Sequence, residues 1–266
     1  MSTFLQLFKT PNAILGMIHL RALPGTPFYD GDDQKIIDQV LEELYIYNKA
    51  GLDGIIIENM HDIPYLKENV GPEITAFMAK AALAVRANTD LPCGLQILAG
   101  ANKEALAVAK SANFQFIRAE GFVFAHVGDE GIIESNAGAL LRYRKKIAAD
   151  DILVLTDIKK KHSAHTITSD VSIEETARAA TFFASDGLII TGNSTGHQAS
   201  LDEVKKVKQA THLPVLIGSG ITIQNVNQYL GHSDALIIGS SFKKDGFWKN
   251  GLDGNRVKAF MKHIGR

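Results

Sequence analysis

Short apolar runs alternate along the whole chain with longer amphipathic stretches, and eight such runs can be counted, at residues 14–19, 54–59, 94–98, 114–119, 152–157, 187–191, 215–219 and 235–239. Brief runs rich in Ile, Val and Leu predict strands buried on both faces. Between them, apolar residues recur at three- and four-residue spacing, as in Ile36, Ile37, Val40, Leu41 and Leu44, or Val204, Val207 and Ala210. That spacing places one apolar stripe on a helix. Strands alternating with helices predict a parallel sheet, and eight is the strand number at which such a sheet can close and lose its edges. The predicted fold is an α/β chain forming one (β/α)8 barrel, a TIM barrel, as a single domain over residues 1–266 with residues 1–12 as a lead-in.

Two halves of the chain echo each other. LDGIIIEN (52–59) resembles SDGLIITG (185–192) four units later, and TDLPCGLQIL (89–98) resembles THLPVLIGSG (211–220), again four units later. Aligning the halves sets His19 opposite Asp157, Glu58 opposite Thr191, Gln96 opposite Gly218 and Arg118 roughly opposite Gly239. Each is a strand end. Tandem half-barrels explain the echo, and so does the general likeness of buried strands.

In this fold the working site lies at the carboxyl ends of the strands, because the interior below is filled with branched apolar side chains. Here those ends are polar: His19, then Glu58 and Asn59, Gln96, Arg118 and Glu120, Asp157 with Lys159 and Lys161, and Thr191. Any one of them alone reads as a strand cap. Together they surround one mouth. Of nine histidines, His19, His61, His126, His162, His165 and His197 fall at or after strand ends, while His212, His232 and His263 fall on the opposite face. Imidazoles suit proton transfer near pH 7.

The last two strands end in IGSGIT (217–222) and IIGSSFKKDG (237–246). Glycine at such turns lets backbone amides approach one anion, and loops seven and eight of this fold often form a phosphate site. Gly192, Gly218, Ser219, Gly220, Gly239 and Ser240 are the candidate phosphate contacts, with Lys243 nearby. The loop TGNSTGHQ (191–198) is placed to close over a ligand.

Composition narrows the partners. Twenty-eight basic against 29 acidic residues leave a net charge of −1, which gives no pull toward nucleic acid or an anionic membrane. No run approaches the length of a membrane span and the amino terminus is too short in apolar residues for a signal peptide, so a cytoplasmic or soluble organellar location is expected, without membrane insertion. Cys93 is the sole cysteine, so disulfides within the chain and thiolate zinc cages are excluded, and its apolar neighbours make it a buried filler. Assembly into a homo-oligomer is left open.

MIHLRALPGTP (17–27), IIIENMHDIPYLK (55–67), FIRAEGF (116–122), TDIKKKH (156–162), ITGNSTG (190–196) and IGSGIT with GSSFKKDG resemble the BtpA/SgcQ family, in the same order and over nearly the full chain. HLRALPG is the most specific of these motifs. The resemblance implies a ribulose-phosphate-binding type of barrel and a phosphorylated ligand. It carries no settled reaction: the family takes its name from a member implicated in photosystem I accumulation, and other members lie beside sugar-utilisation genes. The chain departs from the family pattern at Gln96, where asparagine is expected, and at Ala119 and Glu120, where relatives tend to have a small residue followed by asparagine or a similar polar group.

Three functions compete. One is an enzyme acting on a small phosphorylated sugar-like metabolite, an isomerase, epimerase, lyase or aldolase, with no cofactor. Asp157 or Glu58 would be its base, His19 or His162 its acid, and Lys161 or Arg118 its oxyanion stabiliser. Lys161 would alternatively form a Schiff base if Lys159 and Lys160 depress its pKa. The second is divalent-metal-assisted hydrolysis with ligands from His19, Glu58, Asp157, His162 and His165, although the His-x-His common after strand one of such barrels is missing. The third is a non-catalytic phosphate-ligand-binding or assembly factor.

Overall fold

The first apolar run hydrogen-bonds to the second on one side and to the last on the other, so the sheet has no edge. The computed structural model describes residues 3–192 and 196–266. In chain order its strands are β1 (Ala13–His19), β2 (Gly54–Glu58), β3 (Cys93–Gln96), β4 (Phe116–Ala119), β5 (His126–Gly128), β6 (Gly131–Ile133), β7 (Leu153–Ile158), β8 (Ser163–Ala164), β9 (Gly187–Ile190), β10 (Val215–Ile217) and β11 (Ala235–Ile238). Eight of them close a parallel barrel in the order β1-β11-β10-β9-β7-β4-β3-β2. The predicted strands are therefore all present, their ends moved by one or two residues where the chain turns out of the sheet.

The helices are α1 (Thr3–Leu7), α2 (Asp33–Ala50), α3 (Pro72–Arg86), α4 (Asn102–Ser111), α5 (Ala137–Lys146), α6 (Ile173–Phe182), α7 (Leu201–Ala210), α8 (Val226–Tyr229) and α9 (Gly254–His263). The predicted stripe on α2 is buried at Ile36, Ile37, Val40 and Leu44 against the outward faces of the strands. Its ends are sealed locally: Asp32 accepts from the Lys35 amide at the start, and Gly51 takes the left-handed conformation that closes the end.

Inside the barrel lies a second apolar cluster, built from Leu15, Met17, Ile56, Phe116, Leu155, Ile189, Leu216 and Ile237 among others. Phe4 and Phe8 join it from the amino-terminal side and are almost wholly buried. The lead-in is thus a plug: two phenyl groups close the bottom of the barrel, each contributing roughly 1.5–3 kcal/mol of burial. Cys93 is buried, its Sγ donating to the Leu91 carbonyl at 3.2 Å, and burial pushes its thiol up to about 12.

The echo between the halves has a physical counterpart. Asp53 of LDG accepts from the Ile14 amide at 2.7 Å while its own amide donates to the Ile14 carbonyl at 3.0 Å. Asp186 of SDG makes the same two contacts with Val154, at 2.8 and 3.0 Å.

Periodicity did not predict the three-stranded antiparallel sheet β6-β5-β8. It grows from the loops after β4 and β7 and stands beside the mouth. Its signal was present in Gly128-Asp129-Glu130-Gly131, a turn sequence between two short β-branched runs.

Candidate active site

Alternation along each strand sends every second side chain inward. The uppermost inward positions are His19, Glu58, Gln96, Arg118, Asp157, Thr191, Gly218 and Gly239, so the apolar interior is topped by a polar layer. These are the eight strand-end positions that aligning the two halves had paired.

Arg118 and Asp157 form the fixed element of that layer. Nε and Nη2 of Arg118 donate to the two oxygens of Asp157 at 2.9 Å each. The Asp157 side chain has no exposed surface and that of Arg118 only 5%. A fork-on-fork pair of this kind orients the guanidinium. Gly218 makes room for it: a Cβ there would lie 3.2 Å from Arg118 Nη2 and 2.7 Å from Ile189 Cγ2.

Glu58 is buried beside this pair without sharing it. Burial raises its carboxyl above the usual range, against the pull of Arg118 and Lys161, with Glu120 and Asp157 adding to the rise. His19 Nε2 lies 3.6 Å from Glu58 Oε2, too long for a hydrogen bond. Burial, then Lys243, His61 and Lys161, hold the His19 imidazole neutral, well below its ordinary range, and its Nδ1 has no hydrogen-bond partner. Gly239 accommodates this ring, since a Cβ there would stand 3.2 Å from Cε1.

Lys161 is half-buried, and its amide donates to Thr191 Oγ1 at 3.0 Å. Its ammonium pKa is lowered by burial and by Arg118. The neighbours expected to depress it do something else. Lys159 Nζ donates to the Val171 carbonyl at 2.7 Å, and Lys160 lies 3.4 Å from Glu120 and 4.0 Å from Glu130. Burial works against the Lys160 charge, but Glu120, Glu130 and Asp157 outweigh it and raise its pKa.

These groups border a mouth of two lobes. The first, about 280 Å³, is lined at one end by His19, Glu58, Arg118 and Lys161 and at the other by residues 218–224 and 237–242, with Arg256. The second, about 470 Å³, shares Glu58, Arg118 and Lys161 and extends past Gln96, Glu120 and Lys160 to Tyr65, Glu130, His162 and Trp248. Gly196 and Ser240 border both.

Most predicted residues meet here, with several changes of role. Gly218 lines the first lobe, but its amide donates to the Ile190 carbonyl at 2.8 Å. Gly192 does not line it: its amide donates to Ser219 Oγ at 2.6 Å, and that hydroxyl donates onward to the His197 carbonyl at 2.9 Å, locking two loops together. Lys243, expected beside the anion, is buried and turned away, with Nζ 2.7 Å from both oxygens of Glu43. His162 is exposed and borders only the second lobe. Asn59 does not face the mouth; it accepts from the Leu98 amide at 2.7 Å and donates to Asp62 at 2.8 Å, stapling neighbouring loops. Of the loop 191–198, residues 193–195 lie outside the described residues. Among the described residues no three His, Cys, Asp or Glu side chains are grouped to hold a metal ion.

Sequence reasoning missed Lys160 as a site residue, together with Glu130, Tyr65 and Arg256. The first had been read only as a neighbour that would depress the Lys161 pKa. Glu130 arrives on the unpredicted hairpin.

The sequence profile of the BtpA family matches residues 10–266, which is nearly the whole barrel. The chain belongs to the BtpA family. An uncharacterized mitochondrial protein of Caenorhabditis elegans is 50% identical over 256 residues, covering 94% of this chain and 92% of its own. The Photosystem I biogenesis protein BtpA of Synechocystis sp. is 31% identical over 258 residues, covering 97% of this BtpA-family chain and 89% of its own. Among solved structures, a phosphoribosyl anthranilate isomerase from Thermus thermophilus superposes with a TM-score of 0.58 at 13% identity, over 95% of this chain and 98% of that one. At that identity the likeness is one of fold. Among the described residues of the BtpA-family chain, no helix is long and apolar enough to cross a membrane.

Proposed function

We propose that this BtpA-family protein is an enzyme that moves a proton next to the carbonyl of a small phosphorylated sugar-like metabolite. The observation that carries the reading is the two-ended first lobe, with Glu58, Arg118 and Lys161 at one end and the glycine turns of β10 and β11 at the other. The phosphate is assigned to the amides of Gly220 and Ser240, supported by Arg256. Gly220 has φ of +70° and presses on the backbone of Gln198, where a Cβ would come within 2.3 Å. A phosphorylated substrate in the name of the isomerase with the same fold is consistent with this assignment.

Glu58 is the proton-transfer group. A buried carboxyl with a raised pKa is better matched to exchanging a carbon-bound proton near neutrality than an ordinary carboxylate. Asp157 is a positioning residue, both its oxygens being taken by Arg118. Arg118, held rigid, and the Lys161 ammonium supply positive charge where a carbonyl oxygen becomes an enolate. His19, kept neutral by its surroundings, is placed to exchange a proton with that oxygen as a neutral imidazole.

Incubating the protein in deuterium oxide with a panel of aldose and ketose phosphates tests this. Proton NMR should show loss of signal at the carbon next to the carbonyl of at least one of them, and Glu58→Gln should stop it. Binding of a sugar phosphate with no exchange in the wild type would favour a non-catalytic ligand-binding or assembly role, the cyanobacterial relative being named for Photosystem I biogenesis.

A further inference from the structure

The proton-transfer reading uses the first lobe and leaves the larger second one without a task. A three-carbon phosphate would be contained by the first. The second lobe is rich in hydrogen-bond acceptors that the fold itself does not satisfy. Gln96 is 2% exposed, and its amide is oriented by donation from Nε2 to Glu120 Oε1 at 3.1 Å. That contact fixes which end of the amide is oxygen, and Oε1 has no donor. Glu130, whose side chain is 7% exposed, likewise has a buried Oε2 with no donor.

Buried acceptors left unpaired cost about 1–3 kcal/mol each and are rare in native structures, so two on residues that line one cavity would gain from a donor once their side chains turn toward it. Charge points to what the donor is. Arg118 is already paired with Asp157, so Glu58, Glu120, Asp129 and Glu130 outnumber Lys160 and Lys161 and the lobe favours hydrogen-bond donors over a second phosphate. Neutral hydroxyls donate to such acceptors. Phe247 and Trp248 stand at the rim, the former 49% exposed, and offer apolar faces to the C–H side of a polyol.

Glu130 is also held in place by design of the backbone. The β5–β6 turn folds its carboxylate back over Gly128, where a Cβ would lie 2.4 Å from Oε2. Alanine at that position would push the carboxylate aside without changing the charge.

We propose that the second lobe is a subsite for the hydroxylated, non-phosphorylated end of the ligand, with Gln96 and Glu130 as its specificity-determining residues. The ligand is then a phosphorylated sugar of five or more carbons. This rests on the assignment of phosphate to the glycine turns, and it names the substrate class of that site.

Phosphorylated alditols test it, because they lack a carbonyl and cannot turn over. Calorimetry of the full chain with glycerol 3-phosphate, ribitol 5-phosphate, glucitol 6-phosphate and unphosphorylated ribitol should show affinity rising about 10-fold from three to five carbons, the scale of one or two hydrogen bonds. Gln96→Leu, Glu130→Gln and Gly128→Ala should each flatten that rise while leaving glycerol 3-phosphate unaffected. Three variants on two elements guard against one that fails to fold, and thermal melts identify it. Equal wild-type affinity for the three phosphorylated alditols, or an undiminished rise in every folded variant, overturns the subsite. Equal binding of ribitol and ribitol 5-phosphate overturns the phosphate assignment, while the response of ribitol binding to Gln96→Leu still tests the subsite. No binding by any alditol overturns both.

Discussion

Arg118 grips both oxygens of Asp157 within the polar layer, and this one pair divides the carboxylates of that layer into two kinds. Asp157 is neutralised by its partner and inaccessible. Glu58, on β2 with β3 between it and the pair, keeps a carboxyl that burial drives toward the protonated form. The division separates stability from turnover. Asp157→Asn leaves a buried guanidinium without its counter-charge and should cost about 3–5 kcal/mol, read by urea unfolding. Glu58→Gln removes a charge that burial disfavours, so stability should hold or rise while proton exchange is lost.

The pH dependence of kcat/KM should follow from the same environments. With Glu58 as base, activity is present when it is ionised and falls as pH drops through its raised pKa, so the acid limb should sit above the usual carboxylate range. Lys161, lowered by burial and Arg118, loses its charge earlier than an ordinary lysine, which should bring the alkaline limb down. Lys161→Met should remove the alkaline limb and, because the Lys161 charge holds the Glu58 pKa down, move the acid limb to higher pH.

His126 provides a test on the hairpin sheet. Burial, with Lys160 and His165, lowers its pKa from 6.5 to about 4. Between those values the unfolded chain takes a proton that the folded one refuses, so stability present above pH 6.5 is lost as pH falls toward 4. Comparing wild type with His126→Gln by denaturant unfolding at pH 7 and pH 5 should show the wild type losing more.

Lys243 and Glu43 should matter to folding and not to the ligand. Lys243 is 1% exposed and Glu43 4%, so Lys243→Met alone strands a buried carboxylate and should cost roughly 3–5 kcal/mol. The double change Glu43→Leu with Lys243→Met should recover most of that, with inorganic phosphate affinity equal to wild type by calorimetry.

The barrel was legible in the sequence because buried parallel strands leave apolar runs that turn chemistry punctuates, and the polar layer because His19, Glu58, Gln96 and Arg118 interrupt that pattern only at strand ends. Side-chain direction was not legible. Lys243 directly follows the Ser240–Phe242 turn, and nothing local distinguishes a lysine facing an anion from one buried against Glu43, which is 200 residues away. The same holds for Lys159, Lys160 and Lys161: three adjacent lysines leave the β7 end in different directions, and only tertiary contacts decide which reaches the mouth. The glycines were read for anion contact, whereas Gly218 and Gly239 also clear space for Arg118 and His19.

A crystal structure of the protein with ribulose 5-phosphate or a nonreactive analogue bears most directly on the account. It should place the phosphate within hydrogen-bond distance of the Gly220 and Ser240 amides and the carbon next to the carbonyl within about 3.5 Å of the Glu58 carboxylate, the near-attack range. A phosphate seated away from the β10 and β11 turns, or a reacting carbon out of reach of Glu58, would contradict it.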